Sequence, residues 1–335
     1  MKLQNKFFTL LVIGFLAVCS ASPMAYARQK QSTSDITLQK AKQGDAKAQR
    51  ALGFMYASGK GVKQDYVEAI KWYRLAAAQG DAEGQFILGT MYQYGRGATQ
   101  DYAEAVKWYR LAAAQRNVGG HLFLGNMYYS GQGVTQDYAE AIKWYRLAAA
   151  QGNAEGQYYI GVMYYNGQGV TQDYVEAFKW YRLAAEQGDT KAEYNIGNMY
   201  YSGQGVTQDY AEAFKWYQLA AAQGLAQAQY YVGVMYYNGQ GVTQDYAEAF
   251  KWYRLAAAQG DTKAQYNLGV MYSNGQGGTQ DFVRAHMWAN LAAVHGGTDA
   301  VKNRNELARK MTPQQLEKAQ KMARNCQAKS FKNCD

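Results

Sequence analysis

The residues in this chain with the means to do chemistry are its glycine loops, its cysteines and its histidines. Gly203-Gln204-Gly205 and Gly239-Gln240-Gly241 each lead into a helical pattern, the setting in which backbone N–H groups can cradle a phosphate. Cys326 and Cys334 could pair in a disulfide or ligate zinc, and His121, His286 and His295 could act as bases or ligands.

Spacing weakens each of these roles. The Gly-x-Gly loop occurs seven times, follows a helix instead of a strand and lacks the Lys-Ser/Thr ending of a phosphate loop. Its glycines are read as helix stops, and the Asn or Ser before them, as in Asn166-Gly167, favours the same left-handed turn. A zinc site needs about four ligands. No histidine lies nearer the cysteines than His295, so a Cys326–Cys334 disulfide is expected. The histidines stand singly, without a repeated Ser or Cys nucleophile and without a Ser-x-x-Lys motif. The expectation is a chain with no catalytic residue, no metal and no cofactor.

The net charge of +9 invites a nucleic-acid partner until it is divided along the chain. Arg28 to Gly44 carries +3 and Thr298 to Asp335 carries +5, whereas Asp45 to Gly297 holds 20 basic and 21 acidic residues. A neutral body has no cationic stripe for a phosphate backbone, so nucleic acid is set aside.

Residues 1–27 read as a secretory signal: Lys2 and Lys6, an apolar run from Phe7 to Val18, then Ala25-Tyr26-Ala27 before Arg28. That run is too short for a span of about twenty residues, so the mature chain is expected to have no transmembrane segment. Leu16-Ala17-Val18-Cys19 resembles a lipoprotein box and offers lipid anchoring at Cys19 as an alternative. The expected address is periplasmic or secreted.

The elements that position these residues are repeats. Trp72, Trp108, Trp144, Trp180, Trp216, Trp252 and Trp288 are spaced by 36 residues without a slip, and seven aspartates from Asp65 to Asp281 keep the same step. A fixed period in the thirties marks a helical solenoid. The repeats are set at 45–80, 81–116, 117–152, 153–188, 189–224, 225–260 and 261–296. In the fourth, Asn153 caps a helix through about Tyr165, residues 166–170 form a loop, and Asp173 caps a second helix ending near Gln187. Asp173-Tyr174-Val175-Glu176 has the capping-box pattern, present in six of the seven repeats. In the second helix of the first repeat, Tyr66, Ala69, Ile70, Tyr73, Ala76 and Ala77 form a buried stripe, while Glu68 and Lys71 pair on the solvent side. Trp72 is expected to pack onto the next repeat. A glycine inside every first helix, Gly53 through Gly269, implies a close approach of two helix backbones.

Leu-Gly-x-Met-Tyr, Gly-x-Gly-Val, Asp-Tyr-x-Glu-Ala-x-Lys-Trp-Tyr and Ala-Ala-x-Gln-Gly together resemble the Sel1-like repeat, a relative of the tetratricopeptide repeat. Residues 196–224 show the pattern. The resemblance implies an all-α, right-handed α/α superhelical solenoid of seven helix-loop-helix repeats with terminal capping helices. It implies a non-enzymatic adaptor for proteins, in exported bacterial members serving at the cell envelope or in host contact. Cysteine-rich secreted relatives are associated with β-lactam binding or hydrolysis and carry a cysteine pair in most repeats; the repeats here have none.

Binding specificity is sought where the repeats vary within a constant frame. On the first helix, the variable seventh, tenth and thirteenth positions bring forward Phe123, Asn126, Tyr159, Tyr165, Asn195, Asn198, Tyr201, Tyr231, Tyr237 and Asn267. In such solenoids this helix lines the concave side. Tyrosine with asparagine suits a protein partner; peptidoglycan stacked on the tyrosines is the alternative, because the fourth and sixth repeats differ at only six of 36 positions and present a monotonous face. A monomer is expected.

The ends are capped. Residues 28–44, with Ile36 to Gln43 as a half-repeat, cover the first repeat, and 297–335 supply helices at about 298–310 and 313–326. Thr312-Pro313-Gln314-Gln315 opens the last of them as a capping box.

Overall fold

The computed structural model describes residues 35–294, 297–332 and 334. The signal segment 1–27, Cys19 and His295 lie outside the described residues. Contacts divide the chain into two compact units, one ending at Gln136 and the other beginning at Asp137. Every described element of both units is helical.

The first unit holds α1 (35–42), α2 (Ala46–Ser58), α3 (Tyr66–Ala78), α4 (Ala82–Tyr94), α5 (Tyr102–Ala114) and α6 (Val118–Ser130). The second holds α7 (Tyr138–Ala149), α8 (Ala154–Asn166), α9 (Tyr174–Ala185), α10 (Thr190–Ser202), α11 (Tyr210–Ala222), α12 (Ala226–Asn238) and α13 (Tyr246–Ala257). It continues through α14 (Thr262–Asn274), α15 (Phe282–Ala293), α16 (Thr298–Arg309) and α17 (Pro313–Ala328). From α2 to α6 and from α7 to α16, each helix packs on the next within its unit, and α17 folds back on α15.

Caps written into the sequence set these bounds. Asp173 accepts from the Glu176 N–H at the start of α9, and Asn153 accepts from the Gly156 N–H at the start of α8. Each such cap contributes about 1 kcal/mol. The capping box is only half made on the second helices, because the glutamate turns elsewhere: Glu104 accepts from Trp108 Nε1 and pairs with Lys107, and Glu176 does the same with Trp180 and Lys179. At Thr312 both halves form. Helix α9 stops at Ala185, two residues short of the expected Gln187, as the chain tightens into a turn toward Gly188.

The two loop glycines have different duties. Gly203 ends α10 in the left-handed conformation, φ 73°, and returns its N–H to the Met199 carbonyl. Gly205 is more than a helix stop: a Cβ there would lie 2.5 Å from the Tyr174 carbonyl oxygen at the start of the preceding repeat's second helix. The loop is then fastened by the glutamine of the Thr-Gln-Asp motif. Gln208 donates to the Tyr201 carbonyl at 2.9 Å, and Gln172 to that of Tyr165 at 2.8 Å.

Two packing expectations are corrected. The helix glycine makes room first for a ring, since a Cβ on Gly197 would lie 2.6 Å from the Tyr217 ring; second-helix backbone is close as well, the Ala105 oxygen 3.2 Å from a Cβ on Gly89 and, where Ala289 replaces the tyrosine, the Ala285 oxygen 3.1 Å from one on Gly269. The tryptophans pack toward the preceding repeat. Trp108 rests on a cluster from α3 and α4, and Trp216 on one from α9 and α10. The indole is the residue before the buried tyrosine and stands about 100° round the helix from it.

Candidate functional site

The site is built on one recurring object, the buried tyrosine of the second helix. Tyr73, Tyr109, Tyr145, Tyr181, Tyr217 and Tyr253 are at most 2% exposed. Burial pushes the Tyr73 hydroxyl up to about 12 and raises Tyr109, Tyr217 and Tyr253 further, so these phenols stay protonated; Tyr109 donates to Gln93 at 2.6 Å. Fourteen residues after each comes the seventh position of the following first helix.

That position meets the buried ring. Tyr159 stacks on Tyr145 at 4.9 Å and 10°, and Tyr231 on Tyr217 at 5.0 Å and 11°. In the first unit Phe123 lies tilted beside Tyr109 at 5.4 Å and edge-on to Phe86 at 5.2 Å. Phe123, Tyr159 and Tyr231 therefore spend much of their aromatic surface inside the protein. In the fifth and seventh repeats the position carries Asn195 and Asn267.

Where Asn195 stands, a cavity of about 300 Å³ opens, lined by Tyr158, Val162, Tyr165, Asn166, Tyr181, Asn195 and Asn198. It joins three residues that the sequence put forward, Tyr165, Asn195 and Asn198, with four that it did not. Asn198 accepts from the Tyr217 hydroxyl at 2.7 Å. Asn267 instead hydrogen-bonds the Tyr253 and Tyr230 hydroxyls. A second cavity of about 460 Å³, lined among others by Tyr194, Tyr230, Tyr231, Asp261 and Lys263, lies near the start of α14. Lys263 sits over the Tyr230 ring at 5.8 Å and Lys191 over Tyr158 at 5.7 Å, which adds cationic edges to an aromatic face.

The thirteenth-position tyrosines tie repeats together. Tyr165 donates to Gln204 at 2.6 Å, Tyr201 to Gln240 at 3.2 Å and Tyr237 to Gln276 at 3.1 Å, and their rings meet Tyr174, Tyr210 and Tyr246 edge-on. Asn126 is half-buried on α6 in the first unit.

A buried amide ladder also runs through the repeats. Gln85 donates to the Ala77 carbonyl of the preceding repeat at 3.1 Å and accepts from Gln115 at 2.8 Å; Gln229 does the same with Ala221 and Gln259. His121 takes the glutamine's place and contacts the Ala113 carbonyl at 3.1 Å. Burial lowers its pKa. Glu193 takes the place in the fifth repeat, 5% exposed, and accepts from Gln223 at 2.8 Å. Burial raises its pKa. The sequence signal was present, since a carboxylate replaces an amide at one constant position, but the position's burial was not.

Cys326 and Cys334 form a disulfide. Among the described residues no cluster of His, Cys, Asp or Glu could hold a metal ion, and no helix is long and apolar enough to cross a membrane. The Glu-Lys pairs of the second helices, Glu68 with Lys71 and its equivalents, are exposed.

An all-α array of this kind defines the class of helical repeat scaffolds. The Sel1 repeat profile matches residues 46–81, 82–117, 119–153, 154–189, 190–225, 226–261 and 262–296, and the chain belongs to the Sel1 repeat family. A Sel1 repeat protein from Oxalobacter formigenes is 36% identical, with 84% of this chain and 81% of that one covered and a TM-score of 0.69. A protective antigen present in uropathogenic Escherichia coli strains, displaying an SLR fold, is 29% identical over 92% of this chain and 86% of its own, with a TM-score of 0.43. No curated protein matches the sequence.

Proposed function

We propose that this Sel1 repeat solenoid is an exported, non-catalytic scaffold that binds a protein partner through the concave face made by its first helices. The observation that carries the reading is the cavity at Asn195, a recess on a tyrosine and asparagine face at a position that the fourth and sixth repeats close with their own rings. Tyrosine offers large contact area at low entropic cost and asparagine adaptable hydrogen bonds, the combination that recurs where proteins recognise proteins. The family supports a scaffold, and the neutral body of the chain is consistent with neither nucleic acid nor a strongly charged partner.

Export rests on residues 1–27, with a periplasmic or secreted address and Cys19 lipidation as the alternative. N-terminal sequencing of the protein from fractionated cells tests it, Arg28 being the expected first residue.

The binding reading is tested by photo-crosslinking in the native cell from position 195, with position 71 on the exposed second-helix face as control. A discrete polypeptide captured from 195 alone, and then bound by the purified scaffold, supports it. Cell-wall fragments captured from 195 would replace the protein partner with a glycan, and equal labelling at both positions would remove the face from consideration.

A further inference from the structure

We infer that the cavity beside Tyr181 is a seat for an aromatic side chain, tyrosine or tryptophan, presented by a polypeptide partner, and that Asn195 holds it open. The inference rests on the protein-binding reading of the first-helix face.

The protein itself shows what fits. At the fourth and sixth repeats the seventh-position tyrosine lies nearly parallel to the buried tyrosine fourteen residues before it, with ring centres 4.9 and 5.0 Å apart. At the fifth repeat the helix has the same length, the buried tyrosine fourteen residues before its seventh position is Tyr181 of the fourth repeat, and the seventh position is Asn195. The side chain that would fill the space is shorter by most of a ring, and the 300 Å³ cavity lies there. That volume sits at the lower end of what small ligand sites have, which suits one side chain and its immediate surroundings.

The walls specify more than size. Tyr158 and Tyr165 contribute aromatic surface and Val162 an apolar side, so a flat ring gains stacking or edge contacts on several sides. Asn195 adds an amide, which can hydrogen-bond a phenolic hydroxyl or an indole N–H that an aliphatic side chain lacks, while Asn198 forms a polar wall held by Tyr217 and Tyr194. The cavity lies at the fifth repeat; at Asn267, where the same replacement recurs, the amide hydrogen-bonds Tyr253 and Tyr230.

The test is an NMR titration of the purified mature chain, following the Asn side-chain amides. The probe is N-acetyl-L-tyrosinamide; N-acetyl-L-leucinamide and the N-acetylglucosamine–N-acetylmuramic acid disaccharide are compared with it. Saturable shifts at Asn195 and Asn198, at least threefold tighter for the tyrosine probe than for leucine, are expected. Asn195→Tyr, which restores the residue found at Tyr159 and Tyr231, is expected to weaken the probe at least tenfold, and Asn267→Tyr to leave it unchanged. Should Asn195→Tyr fold poorly, Asn198→Val, the residue found at Val162 and Val234, serves as the second variant and is expected to weaken the probe.

Equal binding of leucine and tyrosine probes, unchanged binding in Asn195→Tyr, or saturable binding of the disaccharide alone would overturn the inference. Absence of probe binding while position 195 still crosslinks a polypeptide would overturn the aromatic seat and leave the scaffold reading standing.

Discussion

The first helices of the fifth and sixth repeats share a frame and differ in how they treat the buried tyrosine of the repeat before. In the sixth, Tyr231 lies flat on Tyr217; in the fifth, Asn195 stands fourteen residues after Tyr181 beside a cavity. The difference separates two duties that look alike in sequence. A tyrosine at the variable position belongs to the packing, and the asparagine is what leaves room for something else.

The largest effect expected within this comparison is at the buried ring itself. Tyr217→Ala removes a fully buried side chain with its Tyr231 stack and its bond to Asn198, and should cost about 3–5 kcal/mol in urea unfolding. A loss of only a few tenths of a kcal/mol in unfolding free energy would show that the repeat collapses into the space, contrary to the interlocked packing described.

Next come the glycines beneath the two rings. An added Cβ lies 2.6 Å from the ring at both Gly197 and Gly161. Tyr217 is held from the other side by Tyr231, whereas Tyr181 borders a cavity, so Gly197→Ala should destabilise by about 2–3 kcal/mol and Gly161→Ala by about 1 kcal/mol less. Equal losses would mean that the cavity gives Tyr181 no room to move.

Converting the sixth repeat into the fifth is a smaller step. Tyr231→Asn gives up one stacked pair and part of its burial, a loss of about 1–2 kcal/mol, and should open a recess that a crystal structure of the variant would show. An unchanged stability and a closed site would break the correspondence between the repeats.

The smallest expected change sits at Glu193. Its side chain occupies a glutamine position and has no N–H to offer the Ala185 carbonyl, so Glu193→Gln should stabilise by about 1 kcal/mol at neutral pH. Burial raises the folded-state pKa, so the stability linked to the protonated acid is present in full below the unfolded carboxylate range and is lost as pH rises through the folded value. The advantage of the variant should therefore shrink on acidification toward pH 4. Thermal melts of both proteins across that range check the sign; a gain that grows at low pH would contradict it.

Much of the fold was legible because caps and stops are local. Asp173, Asn153 and Gly203 set helix ends through bonds spanning three or four residues, and a 36-residue period announced the array. The direction of the tryptophans was not legible, since a stripe says which side of a helix is apolar but not which neighbour covers it. For the same reason Tyr159 and Tyr231 looked like binding residues, and Tyr181 and Tyr158, constant or outside the chosen positions, were passed over.

By itself the sequence determined the repeat, its helix pairs and their ends, and the disulfide partners, because these depend on local hydrogen bonds, period and composition. Only the tertiary structure decided which tyrosines are spent on one another, that the helix glycine faces a ring, and that a cavity opens at Asn195. Those facts depend on contacts between residues fourteen to forty positions apart, where the volume left by one side chain is known only once its neighbours have been placed.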